Sequence, residues 1–178
     1  MLIRYRRLFA VTAAGVLLAA SFIVGCSTET SGADTTAQAL PTPNKSFTAA
    51  DIAKLKWLEG TWKGTGDIDK PFYERYKFEG TTLVVDSFAD ESLEKSDASR
   101  YELKDGRFSN TDTGSGYAAS AITNDSISFV PVGGPKNSFV WTREAGGSWK
   151  AVLSWPARDD KPAMERTYKM EPYTAGPK

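Results

Sequence analysis

The chain has 178 residues, with 22 Lys and Arg against 22 Asp and Glu, and it contains one cysteine and no histidine. The balanced charge argues against a nucleic-acid-binding protein. The missing histidines exclude His-containing zinc sites, a haem held by a proximal His, and Ser-His-Asp catalysis. The single cysteine excludes an intrachain disulfide and any Cys-rich metal site. We therefore expect one folded domain without a cofactor or a metal site.

Residues 1–25 resemble a bacterial lipoprotein signal peptide. The segment starts with a basic stretch that contains Arg4, Arg6 and Arg7. An apolar run of about 17 residues follows, from Leu8 to Val24, which is short for a membrane-spanning helix. The run ends in Ile-Val-Gly-Cys, similar to the lipobox in which the cysteine, here Cys26, is lipidated. The alternative is an ordinary signal peptide or a membrane helix that happens to end near a cysteine.

Lipidation at Cys26 would hold the protein to a membrane by acyl chains such as palmitate. Ser27 after the cysteine resembles the pattern of lipoproteins sent to the outer membrane. We therefore expect a protein of the bacterial cell envelope, on the periplasmic side with the outer membrane slightly favoured, or on the cell surface. Residues 26–45 are rich in Ser, Thr, Ala, Gly and Pro, which predicts a flexible tether. Without residues 1–25 the chain keeps 19 basic against 22 acidic residues, a net charge of −3.

A short helix is predicted where the folded part begins. Thr48 is a good N-cap with Asp51 three residues on, as in a capping box, and Phe47 and Ile52 hold the hydrophobic-staple positions. Ile52, Leu55 and Leu58 then fall on one face at helical spacing. Gly60 is expected to end this helix of about ten residues.

After Gly60 the apolar residues alternate with period two, which predicts strands. Turn signals such as Lys104-Asp105-Gly106 separate short segments and predict hairpins. The expected strands are 61–66, 72–78, 83–88, 99–103, 107–111, 116–122, 126–130, 138–143, 148–155 and 163–170. The fold class is therefore all-β, an antiparallel up-and-down barrel of about 8–10 strands over residues 46–173, with a tail at 174–178.

The segment Trp57-Leu58-Glu59-Gly60-Thr61-Trp62-Lys63-Gly64 resembles the opening of bacterial lipocalin-like domains of unknown function. Lipocalins, in the calycin superfamily, carry a Gly-X-Trp at the start of their first strand, here Gly60-Thr61-Trp62. Glu74-Arg75-Tyr76 and Gly80-Thr81-Thr82-Leu83-Val84 are similar to the second strand and turn of the bacterial group. The likeness covers Leu55 to Tyr173 and extends distantly to nitrobindin-type haem barrels. Those hold haem iron through a histidine that this chain lacks, so the resemblance implies no haem.

In calycins the motif Trp closes the base of the barrel, and an Arg or Lys of the last strand packs across it. The resemblance implies this role for Trp62 and Arg166. Arg166 shares a predicted face with Met164, Tyr168 and Met170, so an inward orientation is expected, with possible cation–π packing of roughly 0.5–2 kcal/mol. The alternative is a solvated strand residue.

Glu74 is the most unusual residue of the predicted strands, because alternation places it on the interior face of Phe72, Tyr76 and Phe78. A buried carboxylate requires partners. It could anchor a ligand or act as a general base, pair with Arg166 or Arg143, or lie at a rim open to water. The candidate ligand-binding residues are Glu74, Tyr76, Tyr117, Phe139, Trp141, Trp149, Arg166 and Tyr168.

Such a lining, mostly apolar with a few polar groups, is the usual composition of a small-ligand site. The sequence therefore predicts a lipid-anchored barrel that binds a small apolar or amphipathic molecule, with Glu74 or Arg166 fixing a polar end. The alternative is a structural or interaction lipoprotein with a filled barrel that acts through its outer surface on a protein partner. No pattern of catalytic residues supports an enzyme.

Overall fold

The computed structural model describes residues 46–66, 68, 70–110 and 115–176. The predicted signal peptide, the lipidation site Cys26 and the tether lie outside these residues. All ten strands, their pairings and the buried core fall between Ser46 and Gly176. The strand pairings and the core therefore join residues of this part of the chain alone.

One short helix precedes ten strands. Helix α1 spans Ala49–Ala53, and a 3-10 helix follows over Lys54–Leu58. The strands are β1 Gly60–Gly66, β2 Phe72–Glu79, β3 Thr82–Phe88, β4 Lys95–Lys104, β5 Arg107–Asn110, β6 Gly116–Ile122, β7 Ser126–Val132, β8 Ser138–Arg143, β9 Trp149–Trp155 and β10 Met164–Pro172. Within the described ranges no helix is long and apolar enough to cross a membrane.

The strands form a closed antiparallel barrel in which each strand pairs with the next along the chain and β1 pairs with β10. The closing pair aligns Gly64 with Met170 and Trp62 with Pro172. Closure leaves every strand with two neighbours and removes the sheet edges that would otherwise be open to association. The predicted all-β, up-and-down barrel is thereby confirmed, and its architecture is compatible with a calycin fold.

The helical segment begins as predicted and ends differently. The Thr48 side chain accepts a hydrogen bond from the Asp51 N–H, and the Asp51 carboxylate accepts one from the Thr48 N–H, completing a capping box. The second half is 3-10 helix with its C-cap at Glu59. Gly60, expected to end the helix, is instead the first residue of β1. Ile52, Leu55 and Leu58 are buried, as their spacing predicted.

Several strands extend beyond their predicted ends, and β7 runs two residues further, to Val132. β4 begins at Lys95, four residues before the expected start, and β10 continues two residues further to Pro172. The β4–β5 hairpin occurs where it was expected, but its turn has two residues because Lys104 belongs to β4; Asp105 and Gly106 have φ of 51° and 76°. These values fit the type I′ turn that matches the twist of paired strands.

The two ends of the barrel differ. The helical segment covers one end, which we call the plugged end, where the Phe47 N–H donates to the Gly106 carbonyl of the β4–β5 hairpin over 2.7 Å. The opposite end, which we call the rim, carries the loops 133–137 and 156–163 that follow β7 and β9. Strands β8, β9 and β10 join these loops at Ser138, Trp155 and Met164.

Candidate functional site

Aromatic rings fill the barrel interior near the plugged end. The ring of Tyr76 lies 5.4 Å from that of Trp149 and 5.6 Å from that of Trp141, both edge to face. Trp141 is in turn 5.6 Å from Trp149 and 5.5 Å from Phe139. Such pairs contribute about 0.5–1.5 kcal/mol each beyond the area that they bury. Four of the candidate ligand-binding residues, Tyr76, Phe139, Trp141 and Trp149, are thus packed against one another as core.

Glu74 lies inside the barrel, as its alternation predicted, with only 2% of its surface exposed. The Tyr76 hydroxyl donates to its Oε2 over 2.7 Å, and the Ser87 hydroxyl donates to its Oε1 over 3.4 Å. Burial, and then the charge of Glu74, hold the pKa of Tyr76 well above its usual value. The same two causes raise the pKa of Tyr101. Glu74 is therefore part of a buried hydrogen-bonded network, and these tyrosines stay neutral hydrogen-bond donors at ordinary pH.

The structure does not bring Arg166 and Trp62 together. Trp62 pairs with Pro172 of β10, whereas Arg166 pairs with Leu153 of β9, six residues nearer the rim. Six strand residues correspond to about 20 Å. The Trp62 indole instead donates to the Leu58 carbonyl over 2.8 Å and meets the Trp149 ring at 5.9 Å. The separation arises because β10 runs on to Pro172, so that the partner of Trp62 lies well beyond Arg166.

The remaining candidates lie in the half of the barrel that is nearer the rim. The Tyr117 hydroxyl donates to Asn137 Oδ1 over 2.8 Å, so it fixes a residue of the rim loop 133–137. Tyr168 is buried and meets the Phe72 ring at 5.7 Å. The guanidinium of Arg166 lies over the ring of Trp155, 6.0 Å from its centroid. Tyr117 and Arg166 therefore contact residues of the rim loops and strand ends, Asn137 and Trp155.

Two adjoining cavities open at the rim, with volumes of about 390 Å³ and about 570 Å³. They share an apolar floor and one cation, formed by Lys136, Trp155, Pro156, Ala163 and Met164. The smaller cavity adds Pro131, Asn137, Ser138, Ser154 and Glu165, and the larger adds Arg158, Asp159, Lys161 and Pro162. Sequence reasoning missed these residues, since it looked for a site inside the barrel.

The loop that walls the larger cavity is held by its own backbone. Arg158 and Lys161 form an isolated antiparallel bridge, with N–H to carbonyl distances of 3.0 Å and 2.8 Å in the two directions. Asp159 between them has φ of 51°, a left-handed conformation that Asp tolerates in tight turns. Prolines 156 and 162 flank this turn and restrict the backbone further. Trp155-Pro156 and Pro162 were the signal in the sequence that could have pointed to a structured loop.

The part of the chain that the structure describes contains no group of three or more Cys, Asp or Glu side chains that could hold a metal ion. Neither the protein-family models nor the curated proteins give a match to this chain. The fold and the site define the class of protein by themselves: a closed ten-stranded antiparallel barrel that is plugged at one end and carries an amphipathic cavity at the other.

Proposed function

We propose that the protein is a lipocalin-like binding protein of the calycin type that takes a small apolar or amphipathic molecule at its rim. The observation that carries the proposal is the larger rim cavity of about 570 Å³, floored by Trp155 and Met164. This volume falls within the roughly 300–1,000 Å³ of small-molecule sites, which are typically apolar with a few polar groups. The rim, and not the barrel interior, is the proposed place of binding. In the interior the aromatic rings occupy each other's contact surfaces.

An amphiphile with a decyl chain tests this proposal. We expect isothermal titration calorimetry on residues 46–178 to show binding of at least one of decanol, decanoate and decyltrimethylammonium. Trp155→Ala should weaken that binding by roughly tenfold or more, because burying a large apolar side chain contributes about 1.5–3 kcal/mol. Met164→Glu should weaken the binding of decanol, since it places a charge on the apolar floor.

Thr167→Glu is the matched control for Met164→Glu, because Thr167 is exposed on the same strand but is not part of either cavity lining. Thermal unfolding of each variant shows whether it is folded. Absence of binding by every amphiphile, or equal binding by the Trp155→Ala and wild-type proteins, would contradict the proposal.

The filled-barrel alternative rests on a specific observation, the packed aromatic interior around Tyr76, Trp141 and Trp149. In that case the protein acts through its outer surface on a protein partner. The same titrations separate the two functions, since a barrel of this second kind leaves the amphiphiles unbound. Native mass spectrometry of the barrel purified from its own host adds a direct readout: a small molecule released on unfolding supports ligand binding over the filled-barrel alternative.

The location in the cell envelope is proposed from the sequence alone, on the lipobox-like Ile-Val-Gly-Cys that ends at Cys26. A cysteine that carries two or more acyl chains anchors a protein stably to a membrane, because the chains add their transfer free energies. We expect the full-length protein to incorporate a palmitate analogue and to sediment with membranes. Cys26→Ser should abolish both. Membrane sedimentation of the Cys26→Ser protein at the wild-type level would contradict lipidation as the anchor.

A further inference from the structure

We propose that the rim cavity selects amphipathic anions, with the anionic head group bound by Lys136, Arg158 and Lys161 and the apolar chain lying on Trp155 and Met164. This inference rests on the proposed function, whose ligand class it narrows.

Three cationic side chains converge on the larger cavity. Lys136 reaches it from the loop after β7, and Arg158 and Lys161 reach it from the loop after β9. Arg158 and Lys161 face each other across their antiparallel bridge, and directly opposed residues project to the same side of such a pair. The lining thus holds three cations against one carboxylate, that of Asp159, a balance of +2. Two loops that are distant in sequence therefore place positive charge at one opening.

Several basic residues of the barrel, unlike these three cations, have a carboxylate partner among the described residues. Lys77 pairs with Asp86 at 3.4 Å, Lys150 with Glu144 at 3.7 Å and Lys169 with Glu171 at 2.9 Å. Within residues 46–66, 68, 70–110 and 115–176, no carboxylate lies within ion-pair distance of Lys136, Arg158 or Lys161.

Carboxylates do occur nearby and must be weighed. Glu165 lines the smaller cavity and accepts a hydrogen bond from the Ser154 hydroxyl over 2.9 Å. Asp159 sits at the turn between Arg158 and Lys161, with its backbone in the left-handed region. Neither forms an ion pair with the three cations, so no carboxylate of the described residues offsets their positive charge. An anion here gains charge-assisted hydrogen bonds that a neutral head group cannot provide.

The apolar part of the site adjoins these charges. Met164 is 43% exposed, the one large hydrophobic side chain in the described structure that is classed as exposed. It pairs across the ladder with Trp155, whose ring also carries the guanidinium of Arg166 at 6.0 Å. An exposed Met beside Trp and two prolines gives a hydrocarbon chain a surface to cover. Apolar floor and cationic wall together match a molecule with a hydrocarbon chain and an anionic head.

The barrel contains its own matched control. Lys104 and Arg107 face each other across the two-residue turn of the β4–β5 hairpin at the plugged end, just as Arg158 and Lys161 do at the rim. The first turn residue, Asp105 or Asp159, has φ of 51° in both places. The two pairs therefore share residue types, exposure and the φ of the first turn residue, but only one of them lines the cavity.

The experiment compares decanoate, decanol and decyltrimethylammonium by calorimetry on residues 46–178. We expect decanoate to bind tightest, and its affinity to fall as salt is added, because salt screens exposed charges. The double variant Arg158→Gln, Lys161→Gln should bind decanoate roughly tenfold more weakly and should bind decanol as tightly as the wild-type protein. Lys136→Gln should weaken the binding of decanoate by about threefold. Lys104→Gln with Arg107→Gln should change neither.

The outcomes separate this inference from the function on which it rests. If decanol binds as tightly as decanoate, or if both double variants behave alike, the cavity binds amphiphiles without selecting anions, and only this inference is overturned. Tighter binding of decyltrimethylammonium overturns it as well. If none of the three amphiphiles binds, the proposed function fails and the inference fails with it. Thermal unfolding of each variant establishes that its fold is intact.

Discussion

At the scale of single residues, Glu74 and Tyr76 show how a polar pair is accommodated inside an aromatic core. Both lie on the inward face of β2, two residues apart, and are 2% and 1% exposed. The hydrogen bond of 2.7 Å between them offsets part of the cost of removing the carboxylate from water. Edge-to-face contacts with Trp141 and Trp149 then hold the Tyr76 ring in place.

Tyr76→Phe should destabilise the barrel by about 1.5–3 kcal/mol, because it leaves the buried Glu74 carboxylate with one hydrogen bond fewer while keeping the ring. Tyr173→Phe is the control, since its hydroxyl donates to the Glu91 carbonyl at an exposed position, and its loss should cost less than about 1 kcal/mol. Urea unfolding measures both. Equal stabilities of the two variants would show that the Glu74 bond contributes little.

Part of this arrangement could be predicted from the sequence. Alternation alone places Glu74 inside, and its neighbour two residues on, Tyr76, on the same face. The contribution of Ser87 could not be predicted, because it depends on the register between β2 and β3. The pairing of Arg166 with Trp155 rather than Trp62 depends likewise on how far β10 extends, which no local pattern in the sequence states.

At the scale of elements, the capping box is the local signal that starts the fold. The hydrogen bond from the Lys54 side chain, followed by those from Thr48, lowers the pKa of Asp51 to about 2. A lowered pKa means that the ionised carboxylate is favoured in the folded state. The stability that this provides is present above the ordinary value of 3.8 and is lost as the pH falls through about 2.

Thr48→Ala should destabilise the helical plug by about 1 kcal/mol, because the Asp51 N–H loses its side-chain acceptor. Thr48→Ser keeps the hydroxyl and should restore most of the loss. Hydrogen exchange of the amides in 49–58, together with global unfolding by urea, measures the effect. Identical exchange in the Ala and Ser variants would indicate that the cap does not hold the plug.

Most strand bounds could be predicted because turn residues and period-two alternation are local signals. β6 and β8 match the predicted limits, and the ten strands all occur in the predicted order. The transition from α-helix to 3-10 helix at Lys54 could not be predicted from the spacing of Ile52, Leu55 and Leu58, since both helix types place such residues on nearby faces. The rim cavity was also beyond prediction, because it forms only where loops 133–137 and 156–163 approach each other.

At the scale of the whole molecule, burial of tyrosines couples the fold to alkaline pH. Burial raises the pKa of Tyr76, Tyr101 and Tyr117 above the ordinary value of 10.0. Because the pKa of these tyrosines is higher in the folded state than in the unfolded chain, the stability that they contribute is fully present below pH 10. The stability is lost as the pH rises above that value, because the unfolded chain releases protons that the folded barrel keeps.

We expect the thermal midpoint to fall steeply above about pH 10, with each tyrosine that remains neutral contributing about 1.4 kcal/mol per pH unit. Tyr101→Phe should reduce the slope of stability against pH by the contribution of one tyrosine, whatever the effect of the substitution on stability at neutral pH. Scanning calorimetry from about pH 8 to about pH 11 measures the slopes. The same slope in the Tyr101→Phe and wild-type proteins would contradict the assignment.

The described chain enters the barrel at the end that is far from the cavity. The Phe47 N–H is hydrogen-bonded to the Gly106 carbonyl of the β4–β5 hairpin, so the described chain begins at the plugged end. Met164, Trp155 and the loop 156–163 stand at the far end of the cylinder. The first described residue and the rim cavity therefore lie at opposite ends of the barrel. A label attached at Ser46 would start at the end away from Trp155 and Met164, so the same titrations could be followed with a labelled barrel.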